Sequence, residues 1–287
     1  MPNPLRAPTA LAAVLVLSAI ASVPLAKTAP ATQAPTLISA VPADWPASAL
    51  GGSRHVRVVV DALVGRDGTV QQTRVAKPSP PFDAAAIAAV RWNVYAPARQ
   101  EERAVPVWIS VPVEFRAQDA EDADPPSPDV VTLAREAERR GDLREAIDYW
   151  TGALARVGKH PTLRNEWAIR TEVLRVASRM KSPPEVPNVV RLPSIDDHNN
   201  QQRDMGRMSN ERFAKTFDRA LLMAPWWVDA YRWNAAACAT SGRRADAIRM
   251  TQFWRLNVRD TASRALAGRA LAALAEGDTL AVFSMLK

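Results

Sequence analysis

At 287 residues, 47% hydrophobic and 23% charged, the chain has the apolar content of a folded protein of about two domains, which excludes a disordered or low-complexity molecule. Its one cysteine, Cys238, excludes an intramolecular disulfide and, lying far from the leader, a lipoprotein anchor. The net charge of +7 is uneven: residues 203 to 287 hold 14 Lys plus Arg against 8 Asp plus Glu. No recognition-helix or RNP-like aromatic pattern accompanies that charge, so nucleic acid is not the expected partner. An acidic protein surface, anionic lipid head groups or an ordinary solvated helix face remain.

The chain opens with a short leader, in which Arg6 is the only charged residue, and an apolar run from Ala10 to Ala26. The run is shorter than the roughly 20 residues of a spanning helix and contains Pro24, which favours a secretory signal over a retained anchor. In either case residues 1–26 place the remainder outside the cytoplasm, and membrane association is open to the chain through this N-terminal segment. Residues 27–44, rich in Ala, Pro and Thr, read as a linker of polyproline II character, with the first domain spanning 45–117.

Within that domain Val56, Val58, Val60 and Ala62 alternate with Arg57 and Asp61, the pattern of a half-buried strand. Gly65-Arg66-Asp67-Gly68 provides the turn residues of a hairpin, and Val70 to Ala76 is the returning strand. Pro78, Pro80 and Pro81 stop the sheet. Asp83 is placed to cap a helix reaching about Val94, with Phe82 and Ile87 as a staple across the cap. The last strand carries Val105, Val107, Ile109, Val111, Val113 and Phe115 on one face, and Trp108, Ser110 and Glu114 on the other. Pro106 and Pro112 cannot donate to a ladder, so the strand belongs at a sheet edge, where it can bind a further strand. Trp92 is expected in the core and Trp108 exposed.

These residues resemble the TonB C-terminal domain. Trp45-Pro46 stands where that family has Tyr-Pro, and Val56 to Asp61 with Asp67-Gly68-Thr69-Val70 is similar to its first hairpin. Phe82-Asp83 with Ala85, Ala86 and Ala89, then Trp92, Tyr95, Pro97 and Ala98, look like its helix and exit, and Pro112-Val113-Glu114-Phe115 like its final strand. The resemblance covers about 70 residues and implies a periplasmic or inner-membrane-anchored protein of the Gram-negative envelope. It further implies a peptide partner, such as the extended segment of an outer-membrane TonB-dependent receptor, paired along Val105, Val107, Trp108, Ile109, Ser110, Val111, Val113 and Phe115. The chain departs from a standard transducer: it has no Pro-Glu/Pro-Lys spacer and no leader histidine, and the domain is not C-terminal.

Gln118 to Pro128, with four acidic residues and three prolines, reads as a second linker that lets two domains move independently. Residues 129–287 are expected to be helical and look like degenerate tetratricopeptide repeats. Leu133, Ala134, Ala137, Gly141, Ala146, Trp150 and Ala153 fill one unit, with Gly141-Asp142 at its turn. Phe213, Phe217, Ala220 and Pro225 fall in a second unit, and Tyr231, Ala235, Cys238, Gly242 and Ala247 in a third; a helix from Thr261 to about Glu276 closes the stack. Residues 182–208 read as a loop insertion. Trp226, Trp227 and Tyr231 are either packing residues or contacts of the repeat groove.

The fold class is therefore α+β, a small β-β-α-β domain followed by an all-α repeat domain. His55, His160 and His198 have no metal-ligand spacing, and Asp196-Asp197-His198 reads as a solvated loop. With no P-loop, nucleophile-elbow or dinucleotide fingerprint, no catalytic residue, metal or cofactor is expected. Binding by the domain edge, scaffolding by the repeat groove or, if the N-terminal anchor is retained, energy coupling in TonB-dependent transport are the functional readings.

Overall fold

The alternating run His55–Val64 is the central strand of an antiparallel sheet in the computed structural model, which describes residues 33–49, 55–116, 130–158, 163–182, 184–185 and 210–286. The leader, the acidic linker 118–128, the bulk of the insertion 182–208, and His160, Asp196, Asp197 and His198 lie outside the described residues. Calling His55–Val64 β2, the sheet has the order β3-β2-β7, with β3 at Val70–Lys77 and β7 at Val107–Arg116. Val58, Val60, Ala62 and Val64 are fully buried, as the period of two requires when one face is covered.

The cover is helix α1, Asp83–Val90, whose Ala86, Ala89 and Val90 press on the sheet. At one end of this core Trp45, Phe82 and Phe115 pack together, with ring centroids 4.8 to 6.3 Å apart. That packing corrects the expected cap: Phe82 occupies the N-cap with helical dihedrals, and Asp83 is the first helical residue. Its carboxylate accepts from Ser79 N–H at 2.7 Å instead. The helix also stops at Val90, four residues early. The N–H groups of Trp92 and Asn93 turn back to Ala89 and Val90 in a tightened last turn, and Asn93 Oδ1 accepts from Val41 N–H at 2.8 Å.

Two small ladders complete this part. β1, Thr36–Ser39, pairs with β4, Val94–Ala96, so part of the stretch read as a linker is built into the fold. β5, Ala98–Gln100, pairs with β6, Arg103–Val105, around Glu101 and Glu102, both at positive φ.

Helices α2 (Val130–Arg140) and α3 (Leu143–Ala155) form a hairpin turning on Gly141 at φ 86, and Asp142 caps α3 through Glu145 N–H. Ala134, Ala137, Ala146, Trp150 and Ala153 are buried in it. Then come α4 (Glu166–Ala177), α5 (Asn210–Met223), α6 (Val228–Thr240), α7 (Arg244–Asn257), α8 (Thr261–Glu276) and α9 (Thr279–Leu286). Helix α8 has the bounds expected of a closing helix, but α9 follows it.

The expectation of two independently moving domains is not met in the structure: residues 31–287 form one compact unit. Val41, Trp92 and Val94 from the β part lie in the same apolar cluster as Trp167, Tyr231, Phe253 and Trp254. Trp92 stacks on Trp167, with centroids 5.2 Å apart and planes 28° apart, and meets Phe253 at 5.7 Å. Buried Arg249 donates from Nε to Trp92 O (3.0 Å) and from Nη2 to Ser39 Oγ (2.7 Å). Asp44 Oδ1 accepts from the N–H groups of Arg164 and Asn165. Arg99 pairs with Glu276 at 2.6 Å. A linker's composition speaks for its own solvation and says nothing of the faces at either side, which here are apolar and mutually buried.

Cys238 is fully buried on α6, and burial pushes its thiol up to about 12. A thiol held neutral and out of solvent is inert. At about pH 8, a thiol reagent such as Ellman's is expected to leave the folded protein unmodified and to titrate one equivalent after unfolding. Stoichiometric reaction under native conditions would contradict this burial.

Candidate functional site at the sheet edge

Strand β7 runs antiparallel to β2 without a register shift, from His55↔Arg116 to Val64↔Val107. Among the described residues no strand pairs with its other side, so β7 is an edge. Val107, Ile109, Val111 and Val113 are half-buried, and Phe115 is buried. Trp108, Ser110, Pro112 and Glu114 face solvent, with Trp108 43% exposed. Val105 is not part of this strand. It lies in β6, opposite Ala98, because Pro106 interrupts the run and the β5–β6 hairpin takes up its ladder.

The solvent face is braced across the three strands. Ser110 Oγ donates to Asp61 Oδ1 (2.7 Å), Arg74 Nε donates to Asp61 Oδ2 (3.0 Å), and the Arg74 guanidinium lies 4.9 Å from the Trp108 ring centroid. The Ser110 hydroxyl, and then the Arg74 guanidinium, hold the Asp61 carboxyl below the usual carboxylate range. At the far end Glu114 is lowered likewise by Arg116, with His55 at 3.6 Å. Glu114 is solvent-exposed and Asp61 partly so, and these contacts orient side chains more than they add to stability. The Asp61–Arg74 pair was missed in the sequence, although two strands folded about a turn at Gly65–Gly68 bring these two positions into register.

The aromatic residues of the helical part sort differently. Trp226 Nε1 donates to Pro184 O at 2.9 Å, and Trp227 meets Trp233 edge-on at 5.5 Å. Tyr231 has no exposed surface; its hydroxyl donates to Pro225 O and accepts from Arg170 Nη1. Tyr231 is therefore not a groove contact. A phenol at the start of a helix looks amphipathic in sequence, but the buried Arg170 and Pro225 carbonyl satisfy it inside.

Main-chain donors and acceptors in a row, flanked by an exposed tryptophan, suit recognition of an extended chain. Among the described residues, no three His, Cys, Asp or Glu side chains are grouped to hold a cation, and no helix is long and apolar enough to cross a membrane.

A family model described as the Gram-negative bacterial TonB protein C-terminal matches residues 41–117, a minority of the chain that takes in Trp45, the whole sheet and β7. No curated protein and no solved structure matches the chain.

Proposed function

We propose that this is a protein of the Gram-negative envelope that captures an extended segment of a protein partner as a fourth strand on the outer rim of β7. The observation that carries this reading is the edge position of β7, together with the family match over 41–117. The β2–β7 register passes unbroken through Val59↔Pro112. A proline nitrogen has nothing to donate to β2, so Pro112 belongs at a pair whose polar groups turn outward. By the period of two, Ser110 then turns its N–H and C=O to the same rim. Trp108, Val107, Ile109, Val111 and Val113 would contact the partner's side chains, and an outer-membrane receptor's plug segment is the partner that the resemblance favours. Residues 1–26, read as a signal or anchor, would deliver the protein to the periplasm.

The parity argument sharpens the test. Ser110→Pro removes a rim donor without removing a bond to β2, whereas Ser110→Ala removes only the hydroxyl that reaches Asp61. With plug-segment peptides of outer-membrane receptors as probes, Ser110→Pro is expected to weaken capture about tenfold or more, the equivalent of about 1.4 kcal/mol. Ser110→Ala should bind like the parent. Equal capture by the proline variant would sink the proposal.

A second reading, a scaffold working through tetratricopeptide-like hairpins, is favoured by one feature. A cleft of about 560 Å3 beside α2 and α4 is lined by Arg135, Glu138, Arg139, Glu172, Arg175 and Arg179. Glu138 holds Arg175 at 2.8 Å and Arg179 at 3.1 Å. If this cleft is the working surface, Ser110→Pro leaves partner capture intact and charge reversal at Arg135 and Arg139 abolishes it.

A further inference from the structure

We propose that a basic cleft where the start of β3 meets helices α7 and α8 binds a small organic oxyanion, a carboxylate or phosphate carried on an apolar body. The assignment does not depend on strand capture, since its residues are not those of β7. The cleft has a volume of about 490 Å3, within the range of small-molecule sites and small for a macromolecular surface. Arg91, at the end of α1, Arg255 on α7 and Arg264 on α8 line it, with Gln252 beside them and Val70 and Leu256 as apolar wall. No carboxylate is among the lining residues.

Two carboxylates stand near these arginines, and both have other partners: Asp260, within electrostatic reach of Arg264, caps α8 by accepting from Ser263 N–H at 2.6 Å, and Asp67 lies beside Arg255. Asp67 Oδ1 accepts from both N–H and hydroxyl of Thr69, at 3.1 and 2.8 Å, and only Asp67 Oδ2 reaches Arg255, at 3.3 Å. Arg264 gives one N–H to Val258 O at 3.0 Å. A guanidinium carries five donors in a planar fork that matches a carboxylate or phosphate in two-point contact, so these bonds use a small part of the capacity present. Leu256, 56% exposed, is a large apolar side chain left in water at the rim of a charged site. It selects a ligand with an apolar body over a bare inorganic ion. The basic excess of the C-terminal third thus acquires a location, at Arg255 and Arg264. The walls come from both the β part and the helices, so the site exists only in the assembled unit.

The test is calorimetric titration of the full chain with phenyl phosphate, inorganic phosphate and phenol. Phenyl phosphate is expected to bind at least about tenfold more tightly than either fragment, because each fragment lacks one half of the recognition. Arg91 and Arg264 are exposed, so Arg91→Gln combined with Arg264→Gln should keep the parent melting temperature and lose about tenfold in affinity. Leu256→Ser keeps the arginines and should reduce phenyl phosphate binding while leaving inorganic phosphate unchanged. Unaltered affinity in the double arginine variant, or no binding of phenyl phosphate, overturns the proposal. Arginine-dependent binding of octaglutamate in that second case would assign the cleft to an acidic protein partner instead.

Discussion

Replacing Trp92 by alanine is expected to destabilise the whole unit, β part and helices together, by roughly 3–5 kcal/mol, the range for removing a large aromatic side chain from a packed core. Trp92 is 4% exposed and touches rings from two helices. Trp167 and Phe253 also meet each other at 5.7 Å, so the three rings close on themselves. Removing the central one leaves a void walled by two aromatics that are each fixed from behind. Their collapse into it is restricted, which puts the cost toward the upper part of the range. Against a total stability of roughly 5–15 kcal/mol for an ordinary domain, that is a large fraction. Urea denaturation followed by far-ultraviolet circular dichroism measures it, with Trp108→Ala as the exposed control expected to change stability by about 0.5 kcal/mol or less. A loss below about 1 kcal/mol at Trp92 would mean that the rings do not share a core.

The same contact bears on how the protein can be dissected. If residues 129–287 were produced alone, Trp167 and Phe253 would lose their apolar partner, and Arg249 would lose the acceptors Trp92 O and Ser39 Oγ. Arg249 would keep Asp246, at 3.6 Å on the same helix, but the apolar face now covered by Trp92 would be left in water. Parent protein should therefore unfold in one transition. Loss of binding by the isolated helical part would report loss of fold before it reported anything about a partner, which is why point variants on β7 and in the arginine clefts are the sharper instruments.

Features set by local periodicity were legible in the sequence. β2 and most of β7 show the period of two, Gly141-Asp142 is a turn followed by a capped helix, and Thr261–Glu276 has Asp260 as cap and Gly277 as stop. Features set by tertiary partners were not. Trp92 could be placed in a core but not in which one, because nothing in its neighbours distinguishes a ring facing its own helix from one facing Trp167, 75 positions on in the chain. Arg170 and Arg249 look like surface charges on amphipathic helices, yet both are buried, bonded to a carbonyl and to hydroxyls. β1 was invisible because Thr36–Ser39 is too short to show a period and sits among prolines; its strand character comes from β4. The edge position of β7 was legible through Pro106 and Pro112, but Pro106 also cuts Val105 away from the strand it was expected to begin.

Gly68→Ala is the second substitution with a large expected effect, about 3 kcal/mol from left-handed strain and overpacking combined. Of the four turn residues Gly65 to Gly68 between β2 and β3, only Gly68 has a positive φ, at 75°. A side chain there is strained in any surroundings, and these surroundings are closed: a Cβ would overlap Tyr95 O. The backbone cannot simply withdraw, because Gly68 O accepts from Tyr95 N–H at 2.9 Å and Thr69 is bridged to Val94. Moving the turn thus pulls on β4, which carries β1 on its other side and lies against α7 through the Trp92 segment. The turn also carries Asp67, which holds Arg255 across to the helices. Thermal denaturation should show the alanine variant melting well below the parent, by about 6 °C or more if each kcal/mol moves a unit of this size by about 2–4 °C. Gly141→Ala makes the contrast, since its φ of 86 brings the same left-handed penalty but no atom lies within 4 Å of its Cβ. Equal losses at the two glycines would show that the close approach of Gly68 to Tyr95 contributes nothing, and that the hairpin turn is not the clamp between the sheet and the β1–β4 ladder.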